Sequence, residues 1–193
     1  MGFPPLVPRT ARWSAAEGTG LVHVNLGPAT DGIVIDGVTI GDRDTTHYGV
    51  RFRIVCAADW TTRSLDLETT DGQRLNVASD RKGHWSDGNG TPLPEFDGCI
   101  DVDLEGTPFT NTLPIRRLDL SPEMGAVELR MFYVPFDTFL PFVDDQRYRC
   151  TAPLHYRYEA VDGSFDADIT VDADGLVVDY PPLFVRLDLK GLR

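Results

Sequence analysis

The densest chemistry in the chain lies in residues 98–120, G-C-I-D-V-D-L-E-G-T-P-F-T-N-T-L-P-I-R-R-L-D-L. From residue 99 to 105 apolar side chains alternate with Asp101, Asp103 and Glu105. That is the period of a half-buried strand, and it puts Asp101 and Asp103 on one face. Beyond Pro114 the same period predicts a second strand, with Arg116 and Arg117 pointing to opposite faces. One of the two arginines then faces the interior. A guanidinium keeps its charge when buried, so it needs a carboxylate or several acceptors, and Asp101 and Asp103 are the nearest in sequence. Such a group can clamp an anion or a polar headgroup at a cavity, or it can be an ion pair that fixes strand register. The intervening residues 107–112 add hydroxyls and the Asn111 amide. These can meet sugar hydroxyls, or cap their own turn.

Aromatic residues are the second resource. Trp13, Trp60 and Trp85, with Tyr48, Tyr148, Tyr156 and Tyr158, can stack on sugar rings, line a lipid cavity or fill a core. Trp85 stands in R-K-G-H-W-S-D-G-N-G-T-P, a loop dense in turn signals, where a large ring packs over a neighbour. Catalytic and metal patterns are weak. His23, His47, His84 and His155 are scattered without H-x-x-x-H spacing, and there is no C-x-x-C and no G-x-S-x-G, so neither a metal nor a cofactor is expected. If the protein is instead an enzyme, Asp101, Asp103 or His84 would supply the acid or base.

The run T-P-F-T-N-T-L-P-I-R-R-L at residues 107–118, with C-I-D-V-D-L before it, resembles the signature of the bacterial Putative glycolipid-binding family, whose function is unknown. Trp60 with Arg63, Trp85, Gln146 with Tyr148, and D-x-D-G-L-V-x-D-Y-P at residues 172–181 extend the resemblance over nearly the whole chain. It implies a large, many-stranded antiparallel barrel-like fold similar to bacterial lipoprotein carriers. It also implies an internal cavity for a lipid or glycolipid. The residues assigned to that ligand are Arg116, Arg117, Asp101, Asp103, Asn111, Trp85 and Tyr148, with Arg116 or Arg117 meeting a polar or anionic headgroup and no catalysis.

The elements that must position these groups read as strands throughout. Residues 47–56 alternate most clearly, with Tyr48, Val50, Phe52, Ile54 and Cys56 on one face. Further strands are expected at 11–15, 21–26, 33–40 (bent at Asp36-Gly37), 60–67, 75–79, 127–133, 146–151, 154–160, 164–171, 176–180 and 184–189. Asp-Gly pairs at 71, 162 and 174 supply turns. Short strands at steady spacing give an all-β barrel or sandwich, and the absence of a linker or composition shift gives one domain over residues 1–193.

Composition narrows the function. The chain has 193 residues and a formal net charge of -12, with 18 glycines and 14 prolines. The negative charge opposes nucleic-acid binding, which needs a positive surface, and the hydropathy shows no membrane-spanning segment. The N-terminal M-G-F-P-P-L-V-P-R lacks an apolar signal region, and Cys56, Cys99 and Cys150 form no close pair, which fits reduced thiols and a cytoplasmic setting. The expected partner is a hydrophobic or glycolipid-like small molecule, and a homodimer formed through exposed aromatics is the alternative.

Overall fold

The protein is described by a computed structural model over residues 2–43 and 45–187. Its strands are β1 (Arg9–Ala15), β2 (Leu21–Ala29), β3 (Gly32–Arg43), β4 (Thr46–Cys56), β5 (Thr62–Thr69), β6 (Arg74–Ser79) and β7 (Trp85–Asp87) in the first half. β8 (Asp101–Leu104) is followed by helix α1 (Thr112–Leu118), then β9 (Ala126–Val134), β10 (Phe142–Ala152), β11 (His155–Ala160), β12 (Asp166–Val171), β13 (Val177–Tyr180) and β14 (Phe184–Arg186). Of the strand expected at 184–189, Asp188 and Leu189 lie outside the described residues, as does Lys190.

All the strands belong to one 14-stranded sheet in the order β7-β6-β5-β4-β3-β2-β1-β14-β13-β12-β11-β10-β9-β8. Neighbours are antiparallel except β8 and β9, which run parallel. A parallel pair needs a crossover, and α1 lies on it. The fold is the expected all-β, barrel-like one, but the ladder does not close. Its two edges meet through other contacts instead. The Gly98 N–H donates to the Gly83 carbonyl at 2.9 Å, and the Trp85 indole N–H donates to the Cys99 carbonyl at 2.8 Å. Trp85 and Phe96 also pack on Phe132, at 4.8 and 4.1 Å between ring centroids. These contacts cover edges that would otherwise offer free pairing groups.

Residues after Pro114 form a helix, not the expected strand. Pro108 opens a 3-10 turn (Pro108–Asn111) whose N-cap, the Thr107 hydroxyl, accepts from the Phe109 N–H at 3.1 Å. Pro114 sits in the first turn of α1, where a missing N–H costs nothing. Asp119, in the left-handed region at φ 46°, ends the helix, and its N–H returns to the Ile115 carbonyl at 3.1 Å. Every residue from Pro108 to Ile115 is buried, so the segment runs through the interior of the curled sheet and splits it. Phe109 and Leu113 join the aliphatic core of β1–β6, with Val24, Ile35, Ile54 and Leu65. Ile115 joins a tyrosine-rich core under β10–β13, with Tyr148, Tyr156, Tyr158, Ile169 and Tyr180.

One local expectation changes. Asp36-Gly37 is not a bend: Gly37 stays in register between Val24 and Phe52, and the Phe52 ring lies over it where a Cβ would be 2.2 Å from Cζ. A bulge sets Thr62 opposite Cys56 and Ser64 opposite Val55, which turns Thr62 inward together with Leu65 and Leu67 and leaves Arg63 exposed.

Candidate functional site

One end of the curled sheet holds a cavity of about 980 Å³. Its lining comes from the ends of β1, β3, β8, β9, β11 and β13 and from the starts of β4, β10 and β14, with the turns between them. These ends form the mouth. Thr107 and Asn111, from the turn that leads into α1, line it from within.

The polar part of the lining comes from β8 and β10. The inward period of β10 runs Phe142, Asp144, Gln146, Tyr148, and that of β8 runs Asp101, Asp103. Gln146 Nε2 donates to Asp103 Oδ2 and to Asp144 Oδ2, both at 2.7 Å, so one amide holds the two carboxyl groups side by side. The Thr110 hydroxyl donates to the other Asp103 oxygen at 2.6 Å. The Tyr148 hydroxyl donates to Asn111 Oδ1 at 2.7 Å, with Gln146 Oε1 at 3.3 Å, tying the pair back to the helix segment. Burial raises the pKa of Asp103 against the hydrogen bonds from Thr110 and Gln146, and burial likewise raises Asp144. Asp103 and Asp144 thus have only neutral hydrogen-bond partners.

Aromatic walls flank this pair. Tyr133 meets Phe142 at 5.0 Å between ring centroids, and Tyr158 stands against Phe165 and Tyr180 at 5.9 and 6.3 Å. Burial pushes the phenols of Tyr133, Tyr158 and Tyr180 well above the ordinary range, with nearby carboxylates adding to the shift. At the rim, Arg43 pairs with Glu105 and reaches Asp137 at 3.8 Å. Asp42, lowered by hydrogen bonds from His47 and Thr19, completes that side. Among the described residues lining the cavity Arg43 is the one basic side chain, against Glu17, Asp42, Asp103, Glu105, Asp137, Asp144 and Asp162.

Of the seven residues expected at a ligand, Asp103 and Asn111 line the cavity, and Tyr148 stands directly behind Asn111. The other four hold the fold. Arg117 makes a bidentate pair with the fully buried Asp101, at 3.0 Å from Nε and 2.6 Å from the terminal nitrogen. Arg116 donates to the carbonyls of Asp174 and Pro4 at 2.5 and 2.7 Å and stacks over Trp60 at 4.5 Å. Trp85 is consumed by the edge closure. Neither arginine is available to an anionic headgroup in the cavity, because α1 carries both away from it. His84, on the exposed turn before β7, is bonded to Asp80 at 2.8 Å, which raises its pKa, and it is outside the cavity lining.

Sequence reasoning missed Asp144, Tyr133 and Tyr180. The legible signal was D-x-Q-x-Y at residues 144–148, a strand period that places three polar side chains on one face. Among the described residues no group of three or more His, Cys, Asp or Glu is placed to hold a metal ion, and no helix is long and apolar enough to cross a membrane.

Comparison with known proteins agrees with this architecture. The profile of the family described as "Putative glycolipid-binding" matches residues 10–186. A search of curated proteins gives no match. A crystal structure at 1.80 Å resolution of a DUF1089 family protein from Pseudomonas aeruginosa is similar at a TM-score of 0.76 and 37% identity, covering 86% of this chain and 92% of that one. With the family profile spanning β1 to β14, the chain belongs to the Putative glycolipid-binding family.

Proposed function

We propose that residues 1–193 form one domain that binds an amphipathic small molecule, a lipid or glycolipid, in the cavity between the strand ends, without catalysis. The observation that carries this reading is the cavity itself. Its volume of about 980 Å³ is in the range of small-molecule sites, and its wall combines aromatic faces with many acidic and hydroxyl side chains. Family membership supports the choice of ligand class. The net charge of -12 argues against a nucleic-acid partner. The three cysteines are free and buried, which supports a reducing, cytoplasmic setting.

The test is native mass spectrometry of protein purified without detergent, before and after addition of octyl β-D-glucopyranoside, with organic extraction of any retained molecule. One amphiphile per chain is expected. Ala160→Trp places a large side chain in the cavity lining and should abolish that occupancy while the protein stays folded. Equal occupancy in the folded Trp variant would place the ligand elsewhere and end this reading.

A further inference from the structure

Asp101 and Asp103 share one face of β8, yet their charges are met differently. Asp101 is paired with Arg117, whose terminal nitrogen donates at 2.6 Å. Asp103 and Asp144 receive only the Gln146 amide and, at Asp103, the Thr110 hydroxyl. Burial raises the pKa of both, and the Asp144 charge adds to the rise at Asp103. Carboxylates taken out of water are ordinarily paired with a cation, and this pair has none. The rest of the lining does not supply one. It holds seven acidic side chains and one arginine, Arg43, which is taken up at the rim by Glu105 and Asp137.

The aromatic walls point the same way independently. Tyr133 stands in register with Asp103 on β8 and with Phe142 on β10, and Asp144 follows Phe142 on the same face of β10. Tyr158 and Tyr180, 7% and 6% exposed, line the cavity as well. The face of an aromatic ring attracts a cation, most strongly where water is excluded. Elsewhere the fold satisfies such rings with its own arginines: Arg116 lies over Trp60 at 4.5 Å and Arg186 over Trp13 at 5.9 Å. Between Asp103, Asp144 and the cavity tyrosines no described arginine or lysine is placed. The kind of cation follows from the donor set. Calcium takes about six or more oxygen ligands, and among the described residues no group of three or more His, Cys, Asp or Glu is placed to hold a metal ion. An organic ammonium group needs only the charge of the carboxylates and the faces of the rings.

We propose that the cavity takes an organic cation, with an ammonium group seated at Asp103 and Asp144 and flanked by the rings of Tyr133, Tyr158 and Tyr180. This rests on the amphiphile-binding reading and adds the charge of the ligand.

Isothermal titration calorimetry on the intact protein tests it at about pH 8, where buried carboxyl groups are more fully ionised. The probes are octylammonium chloride, octyl β-D-glucopyranoside and sodium octyl sulfate, which share one chain length, each below its micelle concentration. Octylammonium should bind at least about tenfold more tightly than the glucoside, and octyl sulfate more weakly than the glucoside. Asp103→Asn and Asp144→Asn each remove one carboxylate while keeping its shape, and each should cut the octylammonium affinity by about five- to tenfold. Asp168→Asn is the control. It removes an equal charge from a side chain that is 77% exposed and outside the cavity lining, and it should leave the ranking and the affinities as they are. Folding of all three variants is checked by thermal unfolding, and the ranking in the unaltered protein decides alone if a carboxylate variant does not fold.

The glucoside or octyl sulfate binding as tightly as octylammonium would overturn the cation assignment while the amphiphile reading stands. Octylammonium affinity unchanged in the folded Asp103→Asn and Asp144→Asn proteins would overturn it in the same way. So would an equal loss in Asp168→Asn, which would trace the preference to the net charge of the chain. If none of the three probes binds, the amphiphile reading fails and this one with it.

Discussion

Replacing Arg117 by Met tests the buried ion pair that ties α1 to β8. Arg117 is the bidentate partner of Asp101, which is only 1% exposed, and no other basic side chain hydrogen-bonds to that carboxylate among the described residues. Met keeps an unbranched apolar stem, so the change removes charge and hydrogen bonds more than volume. Breaking a buried pair by removing one partner costs about 3–5 kcal/mol, because the other charge is left uncompensated. With a urea m-value of about 2–3 kcal/mol/M, the unfolding midpoint should fall by about 1–2 M.

The loss should also depend on pH. Burial already raises the Asp101 pKa against the pull of Arg117, and without Arg117 that burial is unopposed. Between the unfolded pKa, about 3.9, and the raised folded value, the native state holds more protons than the unfolded state. The stability contributed by the protonated group is complete below about pH 3.9 and is lost as pH rises through the folded pKa. The deficit of Arg117→Met, measured by urea denaturation, should therefore be smaller at about pH 5 than at about pH 8. Asp101→Asn in the same chain should recover about half of it or more. A loss below about 1 kcal/mol, the size of an exposed pair, or a deficit independent of pH, would refute the reasoning.

Three further outcomes follow from the packing. Trp85→Phe removes the indole donor that joins the two sheet edges and leaves the buried Cys99 carbonyl without it, at a cost of about 1–3 kcal/mol. Amide hydrogen exchange should then speed up in β7 and β8 ahead of the central strands. Gly37→Ala puts a Cβ 2.2 Å from Phe52 Cζ and should cost about 1–3 kcal/mol in thermal unfolding, with a smaller cost in a Phe52→Leu background. Burial pushes the Cys56 thiol up to about 12 and the Cys99 thiol to about 11, so neither should react with iodoacetamide in the native protein at about pH 8. Both should react once guanidinium unfolds the chain.

The strands were legible where one face is buried. Residues 46–56 alternate because Val50, Phe52, Ile54 and Cys56 enter the core while Arg51 and Arg53 stay in water. The Asp-Gly turns at 71, 162 and 174 were legible because they depend on local backbone chemistry. The helix at Thr112–Leu118 was not. Its first four residues are buried, so it shows no apolar stripe of helical period, and I-R-R-L-D-L mimics alternation. The ion pair between Asp101 and an arginine was anticipated from the cost of burying a charge, with a structural role as one of its two readings, but not that Arg117 reaches it from a helix. The cavity was legible in part. Asp103, Asn111, Tyr48 and Tyr158 were named from their types, whereas Asp144, Tyr133 and Tyr180 become neighbours only through the curvature and register of β8–β13.

That division gives the signature run two separable jobs. Its first half, Thr107–Asn111, touches the cavity: Thr107 and Asn111 line it, and Thr110 orients Asp103. Its second half is absent from the cavity lining, with Leu113 and Ile115 in the two cores, Arg116 bonded to the Asp174 carbonyl and Arg117 to Asp101. A single short crossover therefore fills the interior at one end and leaves the cavity at the other, which a closed ladder around an empty lumen could not do. Substitutions that keep size and polarity in the first half should change what is bound more than how stably the chain folds. Substitutions in the second half should do the reverse, because among the described residues no other basic side chain pairs with Asp101.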